Sequence, residues 1–146
     1  MRKPFLFLCL IFFACSTKED PNESLKQEVI AIHDEVMPMM GGFVRDGMTI
    51  DSILNNFENI ATESPAIDTT EQKEKLRALR QNIENANESM NDWMHQFNLD
   101  FDTMTQEEVK LYLENERAKI VEINNQFKKV EAQREEILSN YNKDTQ

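Results

Sequence analysis

The chain is predicted to be all-α: a three- to four-helix antiparallel bundle with a long C-terminal helix, preceded by a signal peptide and a short tether. Three observations carry this. Three Gly and four Pro in 146 residues are too few turn formers for a sheet of many short strands. Glu, Lys, Gln, Met and Leu, all good helix formers, dominate the long middle stretches. Apolar residues recur at alternating steps of three and four, the spacing of one helical face. The length is that of one domain, which we assign to residues 21–146.

The first helix is predicted to start near residue 21. Asp20 serves as its cap, Pro21 is its first helical residue, and Glu23 brings an acid into the first turn. Its stripe is Leu25, Val29, Ile32, Val36, Met39 or Met40, and Phe43. Pro38 removes a backbone hydrogen bond inside this pattern, so a kink or early end is expected there, with Met40 and Trp93 packing at the kink. Gly41, Gly42 and Gly47 all fall within seven residues and mark the expected sharp turn. A shorter helix then begins near Asp51, on Ile50, Ile53, Leu54, Phe57 and Ile60-Ala61. A reversal at the glycines would bring residues 33–40 beside residues 90–97. Mere continuation is expected to leave these segments at opposite ends.

Ser64 to Asp68 is a break, after which Thr69-Thr70-Glu71-Gln72 starts the next helix. Its seam is Leu76, Leu79, Ile83, Ala86, Met90, Trp93 and Phe97, a sustained heptad. Asn98 to Asp102 is a loop, and Thr105 with Glu108 is a capping box. The last helix runs to about Tyr141 on Val109, Leu113, Ile120, Ile123, Phe127, Val130, Ile137 and Tyr141, with Glu116 and Arg134 in two seam positions. Its length, on the order of 55 Å, exceeds that of its predecessor, so part of it must project or pair with the first helix. Leu111, Val121 and Leu138 lie off its stripe and offer an unknown envelope protein a docking surface.

Acidic residues outnumber basic ones 27 to 16, for a net charge of −11, which excludes nucleic acid as a partner because a polyanion is repelled. Arg2 and Lys3 precede an uncharged apolar run, Pro4 to Ala14, too short to span a hydrocarbon core of about 30 Å. Residues 1–14 therefore read as a signal peptide. The run stops at Ala14-Cys15, and polarity changes at once to Ser16-Thr17-Lys18-Glu19-Asp20. Here the sequence resembles bacterial lipoprotein precursors, whose lipobox sets a small residue before a Cys that is acylated and becomes the mature N-terminus. Phe12 departs from the family's preferred Leu. The resemblance makes Cys15 the lipidated residue, residues 15–20 the lipidated tether, and the outer membrane of a bacterial envelope, periplasmic or surface side, the expected location. An ordinary secretory signal or an uncleaved anchor is the plainer alternative. Cys9 lies within the leader, so Cys15 is left without a disulfide partner. Lys18-Glu19-Asp20 looks like the export signal of surface lipoproteins of Bacteroidota, and serves equally as a solvated tether.

Two clusters stand out, residues 33–40 (His-Asp-Glu-Val-Met-Pro-Met-Met) and 90–97 (Met-Asn-Asp-Trp-Met-His-Gln-Phe). They hold both histidines, the only tryptophan and five of the eight methionines. His33 with Met37, and Met90 with Met94, are spaced by one turn, and imidazole and thioether together suit copper, so His33, Met37, Met90, Met94 and His95 form a candidate metal site. Packing explains the same residues with fewer assumptions, since Met fills irregular helix junctions and a His at the edge of a stripe caps a core. No cofactor is otherwise expected. Asp92 and His95 have the spacing of a di-iron ligand pair, but no second such pair exists in the chain.

His-Asp-Glu-Val-Met-Pro at 33–38 and Asp-Trp-Met at 92–94 also resemble the motifs of small uncharacterised helical lipoproteins of Bacteroidota, some labelled "viral A-type inclusion protein". That resemblance covers residues 15 to 100 and implies an envelope helical bundle, with no activity attached. Met39 stands where relatives have Lys. Asp51-Ser52-Ile53, Asp68-Thr69-Thr70 and Asp102-Thr103-Met104 resemble Bacteroidota O-glycosylation acceptors at Ser52, Thr69 and Thr103. Each also falls at an expected helix start, where Asp, Ser and Thr are preferred caps. No Gly-x-Ser-x-Gly elbow and no phosphate-binding glycine loop occurs, so the chain is read as a non-enzymatic binding or structural module. A Met/His copper binder is the alternative.

Overall fold

The structure, a computed structural model, describes residues 21–58 and 69–141. The signal peptide, the tether with Cys15, the cap at Asp20 and the break at residues 64–68 lie outside the described residues. Among the described residues three long helices form the bundle: α1 (Pro21–Asn55), α2 (Thr69–Gln96) and α3 (Gln106–Leu138). At about 1.5 Å per residue they are about 53, 42 and 50 Å long.

α1 is one helix where the sequence predicts two. It passes through Pro38, Gly41, Gly42 and Gly47 without a turn. The reason is phase. Val29, Val36, Phe43, Ile50 and Phe57 follow one another at seven-residue steps straight across the glycines, and all are buried. Ending the helix there would strand this stripe, whereas continuing costs only the helix propensity of the glycines and one hydrogen bond at Pro38. No described glycine adopts positive φ, so none uses the freedom that marks a turn. Pro38 sits exposed on the outer side of α1, and Met40 packs against the core.

The chain reverses between α1 and α2 instead. Contacts between these two helices pair Gly47 and Asp51 of α1 with Arg80 of α2, and His33 with Trp93, so sequence number rises on one as it falls on the other. The two clusters are therefore brought together by a continuous α1, contrary to the expectation that continuation separates them. His33 is early in α1 and Trp93 late in α2, and an antiparallel pair sets those positions side by side.

α3 runs antiparallel to α2 and parallel to α1. Asn82 Nδ2 donates to Gln133 Oε1 at 2.9 Å across the first pair. Along the second, carboxylates of α1 meet cations of α3: Glu28 with Arg117 at 2.7 Å, Glu35 with Lys128 at 2.9 Å and Asp46 with Arg134 at 2.7 Å. Asn22 Nδ2 donates to the Gln106 backbone carbonyl at 3.0 Å and to Gln106 Oε1 at 2.7 Å, fastening the first turn of α1 to the first turn of α3. Exposed pairs of this kind are individually weak, but together they oppose a slip of one helix along another. Lys128 holds the Glu35 carboxyl below the usual range, so this pair stabilises above the ordinary glutamate pKa and fades as pH falls.

The seam predicted for α2 is buried from Leu76 to Trp93, and that of α3 from Val109 to Val130. Phe43 and Phe127 stack at 5.2 Å in mid-bundle. The capping box is present: Thr105 Oγ1 accepts from the Glu108 N–H, and Glu108 Oε2 accepts from the Thr105 N–H. Leu138, expected on the outer face of α3, is buried instead, because α3's last turn packs against the core beside Ile137 and Tyr141.

Gly41 faces open space, whereas a Cβ at Gly47 would meet Arg80 Nε at 3.4 Å. Gly41→Ala is expected to raise unfolding free energy by about 0.5–1 kcal/mol, the difference in helix propensity. The gain at Gly47→Ala should be smaller because Arg80 must shift. Urea titration of both variants checks the order.

Candidate functional site

The pole where α1 begins, α2 ends and α3 begins holds the most concentrated chemistry. An aromatic chain crosses it. The His33 ring lies 5.9 Å from Trp93, tilted by 37°. Trp93 stacks on Phe97 at 4.6 Å, Phe97 on Tyr112 at 6.3 Å, and Tyr112 meets Phe101 edge-on at 5.9 Å. Contacts within this range favour offset and edge geometries, and here they tie all three helices to the α2–α3 loop.

Both histidines have one nitrogen committed. His33 Nδ1 is 2.8 Å from Asp34 Oδ1, and His95 Nδ1 is 2.7 Å from the Asn91 carbonyl. Each partner oxygen can only accept, so each Nδ1 carries the hydrogen, and Nε2 is the nitrogen left to a ligand. The five candidate metal donors are differently placed. Met90 is fully buried and Met94 partly so, while Met37 is 38% exposed. His95 is exposed, and it follows Trp93 by two residues, which turns it away from the side of α2 that meets His33. His33 and the stretch 90–94 are thus neighbours, with His95 apart from them. Among the described residues no group of three or more His, Cys, Asp or Glu is placed to hold a metal ion.

Two buried polar atoms near this pole lack partners among the described residues, Trp93 Nε1 and Glu116 Oε2. Glu116 takes a core position of α3 between Leu113 and Ile120 and is 4% exposed, with only its other oxygen held, by Lys119 Nζ at 2.7 Å. A carboxylate so placed contributes little to stability, because the loss of hydration offsets the attraction to Lys119.

The loop from Asn98 to Thr105 is the part of the pole least legible as a site. Alternate backbone N–H groups are satisfied locally. Asn98 N–H donates to Tyr112 Oη at 2.8 Å, Asp100 N–H to Asn98 Oδ1 at 2.9 Å, and Asp102 N–H to Asp100 Oδ1 at 3.2 Å. Met104 N–H donates to the Phe101 carbonyl at 2.9 Å. The signal for this was Asn98-Leu99-Asp100-Phe101-Asp102, in which side chains able to cap a neighbouring amide alternate with apolar ones. Leu99 and Met104 remain exposed, at 51% and 40%.

Of the candidate acceptors, Thr103 is exposed in this loop and Thr69 is the first residue of α2. Ser52 is exposed but does not start a helix: it belongs to the last turn of α1, where its carbonyl accepts from Asn56. The continuous phase of α1 removes the helix start expected there.

Glu116→Leu should stabilise the bundle by about 1–3 kcal/mol, replacing a half-satisfied buried carboxylate by an apolar group of similar volume. Lys119→Ala should destabilise it by removing the one partner. Equilibrium denaturation of the two variants tests both signs.

No family model, no curated protein and no solved structure matches the chain.

Proposed function

We propose that the protein is a lipid-anchored module of the bacterial cell envelope, held at the outer membrane through Cys15 and acting without catalysis, by binding or as a structural element. The observation that carries this reading is the order of segments: basic start, apolar run, Ala14-Cys15, a polar tether, then a helical domain. No described helix is long and apolar enough to cross a membrane, so in this reading the acyl chains supply the attachment. The acidic surface would be repelled by anionic headgroups, which adds to the need for a covalent anchor. A protein partner would dock on the outer face of α3, where Leu111 is 59% and Val121 36% exposed. Cys15→Ser is expected to abolish fatty-acid labelling and release the chain from the membrane fraction. Labelling that survives the substitution overturns the assignment.

One arrangement favours a second reading, Cu(I) binding: the contact of His33 with Trp93 places Met37 and Met94 each within a turn of that junction. In that case His33→Ala weakens Cu(I) binding in competition with a chelator and His95→Ala does not. Equal affinity in wild type and His33→Ala ends the metal reading.

A further inference from the structure

We propose that the α2–α3 loop is a second membrane contact, seating Leu99, Phe101 and Met104 in the headgroup–acyl boundary of the bilayer to which the chain is tethered. This rests on the lipid-anchor reading and goes beyond it by giving the domain a fixed orientation.

Three observations lead here. The first is position. Asn22, at the start of α1, bonds to Gln106, at the start of α3, so the loop that precedes Gln106 lies beside the point where the tether enters the domain. A groove of about 140 Å³ lined by Asn22, Lys26, Phe101 and Met104 marks the same adjacency. The second is reach. Residues 16–20 separate Cys15 from α1, and five residues span at most about 17 Å when fully extended. A tether so short holds the start of α1, beside which this loop lies, within about 17 Å of the anchored residue.

The third is the chemistry of the loop. Amides paired within a segment lower the cost of taking it into the hydrated headgroup boundary. Those of residues 98, 100, 102, 104 and 105 donate within the loop or to Tyr112 and Glu108, while those of Leu99, Phe101 and Thr103 are left to headgroup water. Asn98 and Asp100 use their side-chain oxygens for this, leaving Leu99 and Met104 to face outward. Leu111, within the first two turns of α3, adds a further exposed apolar side chain at the same pole. Asp100, Asp102, Glu107 and Glu108 make the rim acidic, so the fitting surface is a zwitterionic one.

The full chain, processed and purified with its lipid, is reconstituted into phosphatidylcholine–phosphatidylethanolamine vesicles containing nitroxide-labelled lipid. A fluorophore is attached at Thr103→Cys or, at the opposite pole, at Ser139→Cys; with Cys15 acylated and Cys9 removed, the introduced thiol is the only free one. Mass spectrometry of the N-terminal peptide reports acylation separately. The expected result is several-fold stronger lipid quenching at 103 than at 139. The pair Leu99→Asp and Met104→Asp, both at exposed positions, should bring quenching at 103 down to the level at 139 while acylation and helix content are unchanged. Phosphatidylglycerol should reduce the signal at 103, and added salt should restore it by screening. Acylated protein quenched equally at 103 and 139 overturns the loop contact and leaves the anchor standing. Protein that carries no acyl chain overturns the anchor and the loop contact with it.

Discussion

The unbroken heptad of α1 is the constraint on which the rest of the structure depends. Val29, Val36, Phe43 and Ile50 must all reach one core, and only a single helix of about 50 Å lets them do so, with Phe57 just past its end keeping the same step. The three glycines and Pro38 are local penalties, each of roughly 1 to 3 kcal/mol, and the four buried side chains outweigh them at about 1.5–3 kcal/mol each. Once α1 is continuous, the chain can reverse only beyond Asn55, α2 must return alongside α1, and α3 must run parallel to it. The meeting of His33 with Trp93 follows from this and needs no turn at the glycines.

Apolar burial alone does not fix how two parallel helices slide past one another. Here the register is carried by unlike polar groups. The face of α1 toward α3 presents Glu28, Glu35 and Asp46, and the facing side of α3 presents Arg117, Lys128 and Arg134. A shift by one turn would break every pair, and Asn22 on Gln106 pins the end. Asn124, buried in α3, donates to Glu35 from the same side.

Class, the limits of α2 and α3 and nearly all of the core were legible because the helical period is a property of the sequence itself. The seams of α2 and α3 and the capping box at Thr105–Glu108 needed no knowledge of neighbours. The break expected at Gly41–Gly47 failed because local turn signals were weighed without asking whether the stripe kept its phase across them; Phe43 to Ile50 is one heptad step. At the candidate site the two clusters were visible as composition, but their encounter was a matter of topology. Tyr112 and Phe101 escaped notice because an aromatic chain built from three elements has no linear motif. Leu138 was misplaced because the twist of the bundle brings the last turn of α3 round onto the core.

The three long helices among the described residues set the two ends of the bundle apart. With three, the start of α1 and the loop between α2 and α3 share one pole, while the end of α1 and the end of α3 share the other. Under the anchor we propose, the aromatic chain, His33 and the loop would face the membrane and the C-terminal turns of α3 would lie about 50 Å outward.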